Sequence, residues 1–167
     1  VRMKKTRARC SWCSDDPAYI AYHDEEWGVP LHDDRMLFEF LSLEGCQAGL
    51  SWATILSKRD NYRQAFHNFD VAIIAKYSDG YKKALLRNRG IIRNEKKVLA
   101  IINNAKVVLK LKETFSSFDQ YVWSFSEYKV LCKPRIERFS DLPTHSKEST
   151  DMSVDMKRKG FLFVGPV

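Results

Sequence analysis

Glycine and proline are scarce, with seven and five in 167 residues, and apart from Gly165-Pro166 they occur singly. No low-complexity linker and no internal repeat is found, and so few breakers leave most of the chain free to form helix. Long apolar runs are missing too. Val98–Ile102 is among the longest, and polar residues break it within a few positions, well short of the roughly 20 residues a membrane helix needs. The basic start Val1–Arg9 is not followed by the apolar core of a signal peptide, so a cytoplasmic, non-membrane protein is expected. Cysteines number four, at 10, 13, 46 and 132. In an intracellular chain they are expected to be reduced or metal-bound rather than paired in disulfides. No convincing pair of strands can be found, only the apolar ending Phe161–Val164.

What is present is a soluble globular composition, 44% hydrophobic and 29% charged, on a length that suits one domain. Lys and Arg total 28 against 21 Asp and Glu, a net charge of +7. That excess favours an anionic partner such as nucleic acid, although a solvated basic surface would give the same number.

The apolar pattern is helical almost throughout, which predicts an all-α fold. Asp33-Asp34 offers an N-cap, and Met36, Leu37, Phe40, Leu41 and Glu44 follow on one stripe expected to face the core. Gln47–Lys58 reads as a second helix with Trp52, Ile55 and Leu56 inward. Asp60–Asn68 and Val71–Lys76 read as short helices. Asp79 is expected to cap a helix carrying Tyr81, Ala84, Leu85 and Asn88, which ends at a left-handed Gly90. A long helix follows, with Val98, Ile101, Ile102, Ala105, Val108 and Leu109 on one face. Phe118–Phe125 is a further short helix, Pro134 to Ser146 a loop, and Ser149–Lys159 a last helix stopped by Gly160. The expected organisation is a single domain with a small N-terminal lobe at 1–32, a helical core at 33–148 and a final part at 149–167.

The segment around Gly90 joins two helices through a tight turn, near 85–96, and resembles the helix-hairpin-helix of DNA repair proteins. Glycine permits close approach of the backbone to a phosphate, and N–H groups at the following helix start are donors. Arg87, Arg89, Arg93, Lys96 and Lys97 surround the turn with positive charge. Such contacts grip a phosphate backbone without reading sequence. An ordinary helix corner with a charged face is the alternative.

Two blocks carry more information. One runs Cys10-Ser11-Trp12-Cys13 and then Asp16 through Pro30, including Tyr22-His23-Asp24 and Trp27-Gly28. The other runs Phe38 through Trp52, including Leu43-Glu44-Gly45 and Gly49-Leu50-Ser51-Trp52. With Lys58–Arg63, Phe66–Asp70, Gly90–Arg93, Val122–Phe125 and Lys159–Gly165, they closely resemble the 3-methyladenine DNA glycosylase I family over nearly the whole chain. That family belongs to the helix-hairpin-helix DNA glycosylases.

The resemblance implies a DNA repair hydrolase that cleaves the N-glycosidic bond of 3-methyladenine in alkylated double-stranded DNA. It implies that Glu44, Tyr22 and Trp52 hold the base, that Trp12 and Tyr19 line the same pocket, and that the Gly49-Leu50 loop fills the gap left in the duplex. The chemistry is consistent. A methylated adenine is cationic, and an aromatic face attracts a cation. A carboxylate on an apolar face complements that charge and accepts hydrogen bonds from the base edge. A base inside a duplex must be extruded, and apolar wedges hold the gap. The family lacks the customary catalytic aspartate of its superfamily, and none is assigned here. Glu44 is expected to act in catalysis by binding the cationic base, with the aromatic pocket, and favouring its departure, with no lysine nucleophile and no strand cleavage. On the residues alone, tryptophan and tyrosine at helical spacing also suit a core, and Glu44 also suits a pairing with a core arginine.

The resemblance further implies a structural zinc with Cys10 and His23 as two ligands. The family's other two, a His and a Cys, lie beyond the segment matching Phe163-Val164-Gly165, as does a C-terminal helix that helps close the pocket, and the sequence stops at Val167. Cys13 is a possible further ligand, and free thiols are the alternative. A monomer is expected. Two other functions stay open: a non-catalytic binder of alkylated or duplex DNA, and a plain helical interaction domain.

Overall fold

The computed structural model describes residues 9–131 and 143–167. Most of the loop expected from Pro134 to Ser146, and Cys132, lie outside them. Among the described residues there is no strand, and the fold is all-α. The chain divides into two compact units between Pro30 and Leu31.

The first unit is built on one short helix, α1 (Pro17–Ala21). Asp16 starts it by accepting the N–H groups of Ala18 and Tyr19, with Pro17 at the position where a missing N–H costs nothing. α1 runs directly into a π-type turn, Tyr22–Glu26, in which Trp27 N–H donates to Tyr22 O at 2.8 Å. Such wide turns recur at functional sites.

The second unit holds α2 (Asp34–Gln47), α3 (Trp52–Leu56), α4 (Arg59–Ala65), α5 (Val71–Ile74), α6 (Asp79–Arg87), α7 (Glu95–Leu111), α8 (Phe118–Ser124) and α9 (Lys147–Arg158). α7, about 25 Å long at 1.5 Å per residue, is the central element, and α2, α5, α6 and α8 pack against it. Val98, Ile101, Ile102, Ala105 and Val108 on α7 are buried as expected, whereas Leu109 is only half-buried. Buried Asn104 ties down the chain after α9: its side-chain amide donates to Leu162 O at 2.9 Å and accepts Leu162 N–H at 2.8 Å. This pair of bonds gives the apolar ending a strand's backbone satisfaction without a strand.

Four sequence expectations change here. The continuous helix over Gln47–Lys58 is interrupted, because Ala48 and Gly49 form a turn in which Gly49 takes φ +76° and Leu50 N–H returns to Gln47 O. The helix expected over Asp60–Asn68 ends at Ala65 and gives way to left-handed backbone at His67, Asn68 and Phe69. Ser78, not Asp79, caps α6. Gly90 does not end α6 and is not left-handed: the helix stops at Arg87 with Asn88 extended. Gly90 is needed for space instead, since a Cβ there would sit 2.9 Å from Cβ and Cγ of Asn61.

The largest difference lies on α2. Its buried face is Phe38, Glu39, Ser42, Leu43 and Cys46, not the expected Met36-Leu37-Phe40-Leu41-Glu44 stripe. The buried face looks polar in sequence because Glu39 lies on it. Glu39 is neutralised by Arg59, whose Nε lies 2.5 Å from its Oε1, and by Arg63, whose Nη2 lies 2.8 Å from the same oxygen. The carboxylate with core arginine partners is therefore Glu39, and Glu44 is left on the other face.

Candidate functional site

In the second unit, the stripe of α2 that the core does not use lines an open cavity of about 310 Å³. Leu37, Phe40 and Leu41 supply its floor, with Phe118 of α8, Met152 of α9 and Phe163 around it. Such a volume suits a small planar ligand, and a mostly apolar lining with few polar groups is what ligand sites look like. Glu44 is the acidic side chain on this lining. It is open to solvent yet set in a concavity, and burial by the surrounding protein pushes its carboxyl pKa up. Gly45 beside it must lack a side chain, because a Cβ would meet Phe163 Cβ at 3.2 Å and Phe163 O at 3.3 Å.

Trp52 opens α3 and is buried, at 8% exposed. It is not among the residues lining this cavity. Between Glu44 and Trp52 the chain makes the Gln47–Leu50 turn. Gly49 there has open space where a Cβ would be, so its demand is conformational alone. Leu50 at the tip is 38% exposed, an apolar side chain offered to solvent.

The connection from α6 to α7, residues 88–94, carries the expected basic cluster in part. Arg87, Arg89, Arg93 and Lys96 are exposed. Lys97 is not: it is buried, and its Nζ donates to Cys46 O at 2.8 Å and Ala48 O at 2.7 Å. An ammonium committed to two carbonyls inside the fold is removed from the phosphate-binding set. Two N–H groups of the connection are also used internally, Gly90 by Asn88 Oδ1 at 2.8 Å and Ile92 by Tyr62 Oη at 3.2 Å. Asn94 caps α7 by accepting Lys97 N–H. Among the described residues no acceptor is found for the Glu95 and Lys96 N–H groups, at the positive end of a 17-residue helix.

In the first unit, the helix and the π-type turn gather the aromatic residues. The Trp12 ring lies 5.7 Å from Tyr19, 5.1 Å from His23 and 5.1 Å from Trp27, and Tyr19 stacks on Tyr22 at 6.4 Å. Trp12, Tyr19 and Tyr22 are thus brought together within this unit, and Glu44 and Trp52 belong to the other. Sequence reasoning misses Trp27, although it stands in the first of the two informative blocks. Its contact with Trp12 depends on the turn's wide register, which residue spacing alone does not reveal.

Cys10 and His23 are adjacent, with Cys10 N–H donating to His23 Nε2 at 3.3 Å. Asp24 faces the other ring nitrogen, Nδ1, at 2.9 Å. The Arg9 guanidinium, and then His23, holds the Asp24 carboxyl down at about 2. A carboxylate behind a histidine is the arrangement that orients a metal ligand. The Cys13 thiol points elsewhere, toward Ser14 O and Tyr19 O. No three His, Cys, Asp or Glu side chains converge among the described residues. No helix among the described residues is long and apolar enough to cross a membrane.

The family model for methyladenine glycosylase matches residues 12–167. The DNA-3-methyladenine glycosylase 1 of Escherichia coli (strain K12) is 44% identical over 160 residues, covering 94% of this chain and 83% of that protein. A crystal structure of 3-methyladenine DNA glycosylase I superposes with a TM-score of 0.90 at 46% identity, over 95% of this chain and 87% of that one. The glycosylase I from Staphylococcus aureus, solved to show the structural basis of 3-methyladenine recognition, gives a TM-score of 0.89 at 37% identity, over 95% and 84%. With a family match over nearly its whole length and relatives this similar in sequence and fold, the chain belongs to the methyladenine glycosylase family.

Proposed function

We propose that this chain is a monofunctional DNA glycosylase that excises 3-methyladenine from alkylated double-stranded DNA, working as a cytoplasmic monomer. The observation that carries the reading is Glu44, a carboxylate on the wall of a mostly apolar cavity in a chain of this family. A carboxylate so placed is stabilised by a cationic ligand far more than by a neutral one. The cavity's own aromatic side chains, Phe40, Phe118 and Phe163, offer the electron-rich faces that such a cation prefers, and buried Trp52 of the same unit is carried as a base-holding residue by the family resemblance alone.

The reaction needs little push, because the leaving group already carries positive charge. As the bond from the purine nitrogen to the sugar carbon breaks, its electron pair goes to the base, which leaves neutral. A water oxygen bonds the sugar carbon and releases a proton. Glu44 accepts hydrogen bonds from the base edge and holds the cation until the bond breaks. Leu50, on the Gly49 turn, fills the gap left by the extruded nucleotide. Arg87, Arg89 and Arg93, with Lys96 and the free N–H groups at the start of α7, hold phosphates as a helix-hairpin-helix. Cys10 and His23, with Asp24 behind the imidazole, are proposed as two ligands of a structural zinc, which would tie the first unit without entering the chemistry. A purified chain with below a tenth of an equivalent of zinc, prepared without chelator, would exclude it.

The test is single-turnover release of 3-methyladenine from methylated duplex DNA. Glu44→Gln and Trp52→Ala, checked for folding by circular dichroism, are expected to lose about 10- to 1000-fold. Near-wild-type rates in both would remove the proposal, and binding without release by the wild type would select a non-catalytic damage binder. For the DNA grip, a Gly90→Asp variant that binds duplex as tightly as wild type would remove the hairpin assignment. Replacing any one of the phosphate-binding arginines by alanine should make the slope of log K against log salt shallower by about 0.9.

A further inference from the structure

We propose that Lys97 is a positioning residue that fixes the wedge turn Ala48-Gly49-Leu50 and locks it to the DNA-gripping hairpin. The proposal rests on the glycosylase reading above. At the end of α2, Leu50 N–H turns back to Gln47 O and so does not serve Cys46 O. The carbonyls of Cys46 and Ala48 are instead taken by Lys97 Nζ, at 2.8 and 2.7 Å. The last carbonyls of a helix lack intrahelical donors and sit at its negative end, so a buried ammonium there satisfies both hydrogen bonding and charge.

The same residue lies in the first turn of α7, directly after the hairpin. The hairpin has a further tie to the core, because Ile92 N–H donates to Tyr62 Oη of α4 at 3.2 Å. The wedge turn and the start of α7 therefore meet at the Cys46 and Ala48 carbonyls. Gly49 leaves the turn free to bend, with nothing packed where a Cβ would be. Leu50 at the tip is exposed. What holds that turn at a fixed distance from the bound phosphates is the Lys97 clamp. Without it, Leu50 would reach the vacated stack in a spread of positions, and a misplacement of about 1 Å can cost 10²-fold in rate.

The experiment uses the full chain with Lys97→Met, which keeps the stem and removes the donors, and Lys97→Arg, which restores donors. In Lys97→Met, affinity for free 3-methyladenine is expected to stay at the wild-type value, since the base cavity is untouched. Single-turnover excision from duplex DNA should fall about 10- to 100-fold, and the Leu50 amide should exchange with deuterium faster than in wild type. Lys97→Arg should recover part of both. Free-base affinity falling in step with excision would overturn the proposal, as would wild-type excision by a folded Lys97→Met. If Lys97→Met does not fold, Lys97→Gln with unchanged Leu50 exchange and wild-type excision overturns it equally. A wild type that releases no base defeats the glycosylase reading, while Leu50 exchange still decides the clamp.

Discussion

Glu39→Met removes a buried carboxylate and leaves its two arginines behind. Glu39 is 1% exposed and Arg59 8%, so Arg59 cannot recover its solvation by turning outward, while Arg63, at 34%, can. Breaking a buried pair from one side costs about 3–5 kcal/mol, because the remaining charge stays buried after its carboxylate is gone. The Arg59 guanidinium also lies over the Phe40 ring, 5.0 Å from its centroid, an interaction too weak to replace a carboxylate. Against a total stability of about 5–15 kcal/mol the loss is large. With a urea slope of about 2 kcal/mol/M, the unfolding midpoint should fall by about 1.5–2.5 M at unchanged slope. Equilibrium urea unfolding followed by far-ultraviolet circular dichroism measures it. Adding Arg59→Met should restore most of the loss, since an apolar pair of similar volume replaces the ions. A fall below about 1 kcal/mol, the range of a surface pair, would refute the argument, as would a double variant no more stable than the single one.

Four further outcomes are expected. Because burial raises the Glu44 pKa, the native chain holds that proton more tightly than the unfolded one, and Glu44 lowers stability as pH rises from its ordinary value through the raised one. Glu44→Gln should therefore match wild type in thermal midpoint at low pH and exceed it above that window. Affinity for 3-methyladenine should decline on acidification from a higher pH than an ordinary carboxylate would give, and Glu44→Gln should lose that dependence. Gly49→Ala should cost about 1–3 kcal/mol from its left-handed backbone alone, read by urea unfolding. Gly90→Ala should cost about 1–3 kcal/mol by overpacking against Asn61, relieved by Asn61→Gly in the same assay.

Helix α7 is legible in the sequence because its apolar period persists for several turns and its cap, Asn94, is a strong local signal. The breaks at 48–51 and 66–70 are less so. Gly49 points to the first, but the left-handed run at His67, Asn68 and Phe69 contains no glycine to announce it. On α2 the apolar stripe is real, but it faces the cavity and not the core. Periodicity identifies a face and does not say whether protein or ligand will cover it. Glu39 disguises the true core face, and its arginine partners are 20 and 24 residues away.

Sequence by itself determined the class, the helix-rich path and the identity of Glu44 as an acid among apolar neighbours, because these follow from local pattern and from residue types in recognisable order. Tertiary structure decided which acid is neutralised and which faces the cavity, and it turned Lys97 from a supposed phosphate ligand into a clamp on α2. The reason is the same in both cases. A charge's role is set by what lies within a few ångströms of it, and those neighbours come from other helices.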